Sequence, residues 1–175
     1  ALVTYVLLAG VELGTRGAFA PAQLGSTASL ALALAWLLGL PVADDLEAAV
    51  RAADVICCAT MATAPLVLGE WLQPGQHLDL IGAYKPDMRE VDDAAMARAR
   101  VFVDARATTL HHIGEMMEPL KSGAITEADI VADFWDDPAL FVRRSEDEIT
   151  IAKNGGGAHL DLMTAVYIQK AWRGR

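Results

Sequence analysis

Short apolar runs alternating with helix-like stretches restrict most what this chain can fold into. Asp54-Val55-Ile56-Cys57-Cys58-Ala59-Thr60 is a continuous apolar run, expected as a strand buried on both faces. Leu78 to Ile81 and Val101 to Asp104 are two more. Between and before them lie helical patterns with acidic starts: Asp44-Asp45 ahead of Leu46 to Ala53, and Asp92 or Asp93 ahead of a helix reaching Arg100. A third helix is expected from Ala107 to Met117, closed by Glu118-Pro119. Strand and helix in short alternation give an α/β fold, a parallel sheet with helices on both faces.

The remaining segments fit the same pattern. Ala1 to Ala9 is apolar and too short for periodicity to decide between strand and helix end. Ala28 to Leu40 is rich in Ala and Leu and reads as a buried helix stopped by Gly39-Leu40-Pro41. Val67 to Gly75 reads as a helical turn closed by Pro74-Gly75, and Thr126 to Asp129 as a capped helix start. A short strand then runs into Lys153-Asn154-Gly155-Gly156-Gly157, and a terminal helix follows from Ala158 to Trp172.

Ligands of open parallel sheets bind beyond the carboxyl ends of the strands. The first candidate there is Gly82-Ala83-Tyr84-Lys85-Pro86-Asp87-Met88-Arg89-Glu90, where side-chain bulk vanishes as the strand stops and charges cluster past Pro86. Lys85, Asp87 and Arg89 are expected at the mouth of a site, with Arg89 also able to pair with Glu90 or Asp92. A second candidate is Thr60-Met61-Ala62-Thr63, whose hydroxyls fit either a ligand contact or a cap for the next element. Gly14-Thr15-Arg16-Gly17-Ala18 suits either a phosphate-binding turn or a surface loop. Asn154 and Gly155, between a strand and a helix, offer another place for an anion or an amide. His111 and His112 are expected on a helix surface.

Charge and composition exclude several classes. The formal net charge of −9 over 175 residues argues against nucleic acid or an anionic membrane as partner. The longest apolar stretch, Leu30 to Leu40, falls short of the roughly 20 residues that span a bilayer. No positive charge precedes the first apolar run, so a secretory leader is not expected and the cytoplasm is the expected location. Cys57 and Cys58 are adjacent, which disfavours a disulfide between them, and no metal-ligand spacing occurs.

Taken together, several of these segments resemble the ornithine cyclodeaminase/mu-crystallin family. The matching pieces are Ala53 to Thr60, Trp71 to His77, Gly82-Ala83 through Pro86 to Asp92, Ala97 to Asp104, Pro119 to Gly123, Asp147 to Thr150 and Lys153 to Ala158. Their order and spacing cover roughly residues 40 to 172. The resemblance implies a Rossmann-type NAD(P) domain over 10–143, with 1–9 and 144–175 as flanking parts of a largely missing substrate and dimerisation domain. It implies a homodimer, with NADPH or NADH as cofactor. It places Gly14, Thr15, Gly17 and Ala18 at the pyrophosphate, and Thr60, Met61, Gly82 and Ala83 beside the nicotinamide. Asn154 and Gly155 fall near its carboxamide or the substrate.

Cyclodeaminases of this family place a catalytic Asp two residues past the strand-ending glycine. Here that position holds Tyr84. A phenol, with an ordinary pKa near 10, replaces a carboxylate poorly in handling an imine and its water. The Tyr84 to Glu90 turn and the Lys153 to Ala165 segment look most like the bacterial Δ1-pyrroline-2-carboxylate/Δ1-piperideine-2-carboxylate reductases. The resemblance thus implies NAD(P)H-dependent reduction of a cyclic imino acid to L-proline or L-pipecolate. Tyr84, Lys85 and Asp87 are the catalytic candidates. Two alternatives stay open: NAD+-dependent deaminating cyclisation of ornithine, and non-catalytic NADPH binding of the mu-crystallin kind. Residues 14–40 are about a strand and a turn shorter than a full βαβ unit, and the strand that selects NAD or NADP is not found. The chain is therefore expected to be an incomplete form of such an enzyme.

Overall fold

The computed structural model describes residues 5–9 and 43–174. Six strands form one sheet: β1 (Tyr5–Ala9), β2 (Val55–Ala59), β3 (His77–Leu80), β4 (Arg100–Val103), β5 (Ile130–Ala132) and β6 (Thr150–Lys153). Their order across the sheet is β1-β2-β3-β6-β4-β5, and every pairing is parallel. Val55, His77, Thr150 and Arg100 lie in one row of the register. The carboxyl ends of the four inner strands are therefore level with one another.

Helices α1 (Leu46–Ala52), α2 (Asp93–Arg98), α3 (Arg106–Thr109), α4 (Gly114–Ser122) and α5 (Ala158–Arg173), with short 3-10 turns at Gly69–Trp71, Glu127–Asp129 and Pro138–Leu140, complete the described elements. Asp45 caps α1 by accepting from the Ala48 N–H at 3.0 Å, and Asp92 caps α2 by accepting from Ala95 at 2.9 Å. Both caps fall where the acidic starts predict them. The core joins Ile56 and Cys58 of β2, Leu78 and Leu80 of β3, Ile151 of β6, and Val101 and Val103 of β4 to Val50, Met96 and Met116 of the helices.

Strands β2 and β3 are not buried on both faces. Their residues alternate between buried and half-buried, so Val55, Cys57, His77 and Asp79 face away from this core. Among the described residues, the helices that contribute to the core cover one face only. The opposite face meets the segment from Asp133 to Ile149, which carries the chain from the sheet edge at β5 back to β6 at its centre. Right-handed crossovers require this: a connection moving back across a parallel sheet runs over the face opposite to the outward ones. Phe134, Phe141 and Arg143 of this segment, with His77, Asp79 and Phe102 of the sheet, line a cavity of about 310 Å³.

Three local expectations change. The single helix over 107–117 is two helices, α3 and α4, separated by residues 110–113. Gly114 starts the second because it packs against the Pro86 and Met88 carbonyls, where a Cβ would collide. Its N–H donates to the Lys85 carbonyl at 2.9 Å. Helix α4 then passes through Pro119 and ends at Gly123, whose φ of +79° suits glycine. His111 and His112 lie in the break between the two helices and are exposed. Finally, residues 5–9, expected as a flanking segment of the substrate and dimerisation domain, form the edge strand β1 of this sheet, and the short strand expected before the three-glycine turn of the 144–175 segment is β6, an inner strand.

Candidate functional site

Because the sheet is wholly parallel, Thr60, Ile81, Asn154 and Asp104 leave β2, β3, β6 and β4 along one edge. Behind that edge lies a group of buried ionisable side chains. Glu90, fully buried, comes back from the turn after β3 and accepts four hydrogen bonds. Two come from Thr60, its N–H at 2.8 Å and its hydroxyl at 2.7 Å. The others come from the N–H groups of Gly82 at 2.9 Å and Ala83 at 3.2 Å. Glu90 thus ties the end of β2 to the end of β3.

Glu115, from α4 and also fully buried, holds the Glu90 segment in turn. It accepts from the Glu90 N–H at 2.6 Å and the Val91 N–H at 3.0 Å. Burial pushes its carboxyl up to about 7, against the opposing pull of those two amides and of Lys153. Lys153, at the end of β6, points into the core and donates to the Leu80 carbonyl at 3.0 Å and the Ala83 carbonyl at 2.7 Å. Burial depresses its pKa, and Glu115, Glu90 and Asp104 oppose that shift.

The raised pKa of Glu115 makes a prediction about pH. Its ordinary value is 4.5, so between about 4.5 and 7 the folded protein keeps a proton that the unfolded chain has lost. The proton-binding difference then favours the unfolded state progressively, and this contribution to stability is lost as pH rises through that window. The loss is on the order of 3 kcal/mol. Urea unfolding at pH 5 and pH 7.5 measures it. Glu115→Gln lowers stability at both pH values, since one amide loses its acceptor, but flattens the slope. An unchanged slope in Glu115→Gln assigns the titration elsewhere.

Asp104 follows β4. Its Oδ1 accepts from the Ala105 N–H at 2.8 Å and the Thr109 hydroxyl at 2.7 Å. Its Oδ2 and the Nε2 of His159 are both buried and stand 3.8 Å apart, without a hydrogen bond to either. The His159 ring also lies beside Phe134 and Trp135.

The expected site residues separate into groups. Gly14, Thr15, Gly17 and Ala18 lie outside the described residues. Thr60 is at the edge as expected, but its hydroxyl is engaged by Glu90, so its side chain serves the scaffold. Met61 is 52% exposed at the end of β2. Gly82 sits against the Thr60 backbone and the Glu90 carboxyl group, where any Cβ would collide. Its missing side chain makes room for protein rather than for a ligand. Ala83 is buried. Asn154 donates its N–H to the Leu80 carbonyl at 3.0 Å, while its side-chain oxygen accepts from Gly156 at 2.7 Å and shapes the glycine turn. Gly155 packs on the Thr109 hydroxyl, 2.8 Å from where its Cβ would stand.

Of the catalytic candidates, Tyr84 is 51% exposed, and Lys85 lies over its ring at 5.2 Å. Asp87 is exposed on the same turn. Arg89 turns away: it pairs with Asp93 and donates to the Val91 carbonyl, so it does not line the mouth. Glu90, one of the charges clustered past Pro86, is fully buried. Sequence reasoning also passed over Glu115 and Lys153. Their signal was a charge inside an apolar run, Glu115 before Met116-Met117 and Lys153 closing Ile149-Thr150-Ile151-Ala152.

The sequence model of the ornithine cyclodeaminase/mu-crystallin family matches residues 27–175. The chain belongs to this family. Among its relatives, a Δ1-pyrroline-2-carboxylate reductase of Paracoccus denitrificans is 58% identical over 137 residues, covering 77% of this chain and 43% of the relative. Mouse ketimine reductase mu-crystallin is 34% identical, covering 75% and 40%. Among solved structures, Thermococcus litoralis Δ1-pyrroline-2-carboxylate reductase in complex with NADH and L-proline superposes with a TM-score of 0.68 at 25% identity, covering 87% of this chain and 45% of that one. The Rossmann-type parallel α/β fold is common to both. The chain spans less than half the length of these curated relatives. Among the described residues no helix is long and apolar enough to cross a membrane.

Proposed function

We propose that this chain carries the nucleotide-binding part of an NAD(P)H-dependent reductase of cyclic imino acids, taking Δ1-pyrroline-2-carboxylate or Δ1-piperideine-2-carboxylate to L-proline or L-pipecolate. The observation that carries the reading is the 58% identity with the Paracoccus denitrificans reductase. Position 84 supports it: a tyrosine stands at the strand edge where the cyclodeaminase reaction calls for a carboxylate.

The described edge fits the nicotinamide end of such a cofactor. The glycine turn leaves little bulk beyond the strands, and Met61 stands exposed at the end of β2. At Gly156, with φ of +76°, nothing stands within 4 Å of where a Cβ would be. The bound cofactor supplies hydride to the imine carbon. The chain's part is to hold and orient: Met61 beside the ring, Gly82 and Ala83 behind it as the packed strand end that sets the edge, and Asn154 and Gly155 toward the carboxamide or substrate. Gly14, Thr15, Gly17 and Ala18 are assigned to the pyrophosphate. Tyr84, Lys85 and Asp87 border the substrate's side.

A homodimer in the cytoplasm belongs to the same reading. Helix α5 buries none of its residues and exposes Leu162, Met163, Tyr167, Ile168 and Trp172. Exposed apolar side chains distributed around a helix suit one packed into a substrate and dimerisation domain. The test is consumption of NADPH and NADH by the protein at its full natural length, with each cyclic imine. Turnover is expected with one cofactor preferred. Saturable NADPH binding without turnover on either imine contradicts the reductase reading.

A further inference from the structure

Ala83 immediately precedes position 84, and both of its backbone polar groups end on buried ionisable side chains. Its N–H donates to Glu90 at 3.2 Å and its carbonyl accepts from Lys153 at 2.7 Å. The same two side chains hold the preceding backbone. Gly82 donates to Glu90 at 2.9 Å, and the Leu80 carbonyl accepts from Lys153 at 3.0 Å. Glu90 reaches in from the turn after β3, and Lys153 from the end of β6. Tyr84 then emerges into solvent at the strand edge.

We propose that Glu90 and Lys153 are positioning residues for the reductase reaction, clamping the peptide groups on either side of Ala83 and so setting the direction in which residue 84 projects into the site. The inference rests on the reductase reading above. Burying ionisable groups is expensive, and packed apolar side chains often hold a fold as well or better. Here all four donors to Glu90 come from the two strand ends that border the site, and both acceptors of Lys153 come from one of them. The cost falls where backbone direction at the edge is decided. A shift of about 1 Å in a reacting geometry costs roughly a hundredfold in rate, so such a clamp has a kinetic consequence.

Glu90→Gln tests it. The variant preserves size, can keep an oxygen toward Thr60, and puts an N–H donor where Gly82 and Ala83 now find an acceptor. The amides of Gly82 and Ala83 are expected to exchange with solvent about 100-fold faster, while those of Leu78 and Leu80 change less than about threefold. Single-turnover hydride transfer is expected to fall about 100-fold with NADPH affinity held within about threefold. In a double-mutant cycle, Glu90→Gln and Tyr84→Ala together are then no slower than the slower single variant. Lys153→Arg, which keeps the buried charge but moves the donors, is a second variant should Glu90→Gln fold poorly, with about a 10-fold loss expected. Unchanged exchange at Gly82 and Ala83 overturns the clamp. Faster exchange with unchanged hydride transfer, or rate losses that simply multiply, overturns the positioning role. A wild-type protein that reduces no cyclic imine fails the reductase reading itself, a result the exchange measurement does not depend on.

Discussion

Lys153→Met lowers the thermal midpoint by about 10 °C or more. The methionine fills nearly the same volume but donates nothing to the carbonyls of Leu80 and Ala83, which Lys153 now reaches at 3.0 and 2.7 Å. It also leaves Glu90 and Glu115, both fully buried, without their nearby cation. Removing one partner from a set of buried charges costs about 3–5 kcal/mol, because the others remain desolvated. For a domain of this size each kcal/mol moves the midpoint by roughly 2–4 °C. Thermal unfolding followed by circular dichroism at pH 7 measures the shift. A midpoint within about 2 °C of the wild type would mean that the carboxyl groups need no cation.

Gly82→Val has a comparable effect, and on folding before binding. Were Gly82 beside the nicotinamide, as the family resemblance implies, a valine there would fill ligand space at the end of β3. In the folded protein that space belongs to the Thr60 backbone and the Glu90 carboxyl group, which a Cβ at residue 82 would strike. Relief requires β2 and β3 to part at their ends, which breaks the Glu90 bonds to Thr60 and Ala83. Overpacking and lost buried hydrogen bonds together cost roughly 3–5 kcal/mol. The expected result is a midpoint lowered by about 10 °C. Retained stability with weakened NADPH binding would restore Gly82 to the ligand side.

The strand and helix pattern was legible because each signal had a local cause. Asp45 and Asp92 announce helix starts with side chains that reach only three residues ahead. The apolar runs of β2, β3 and β4 fall within one residue of where their composition puts them. Strand order was not legible, since nothing local tells β6 to enter between β3 and β4. Strand β5, three residues long, is too brief for any periodicity.

The site was legible in outline only. Its charged turn stood out, yet the turn's charges divide in a way that depends on distant partners. Arg89 goes to Asp93, Glu90 goes inward to Thr60, Gly82 and Ala83, and only Lys85 and Asp87 stay at the surface. The partner that anchors Glu90, Glu115, is 25 residues further along. Lys153 lies 70 residues from the carbonyl of Ala83 that it holds. Contacts of that span are set by the sheet: a charge inside an apolar run marks Glu115 and Lys153 as unusual, but nothing beside them names their partners.

The most direct test of the reductase assignment follows the hydride. The protein at its full natural length is given nicotinamide cofactor carrying deuterium at C4, in both stereochemical forms, with Δ1-pyrroline-2-carboxylate. Mass spectrometry then reads the amino acid formed. L-Proline heavier by one mass unit from one stereochemical form of the cofactor is the predicted result. Unlabelled product, or no proline while NADPH binds saturably, would contradict the assignment and leave cofactor binding without cyclic imine reduction.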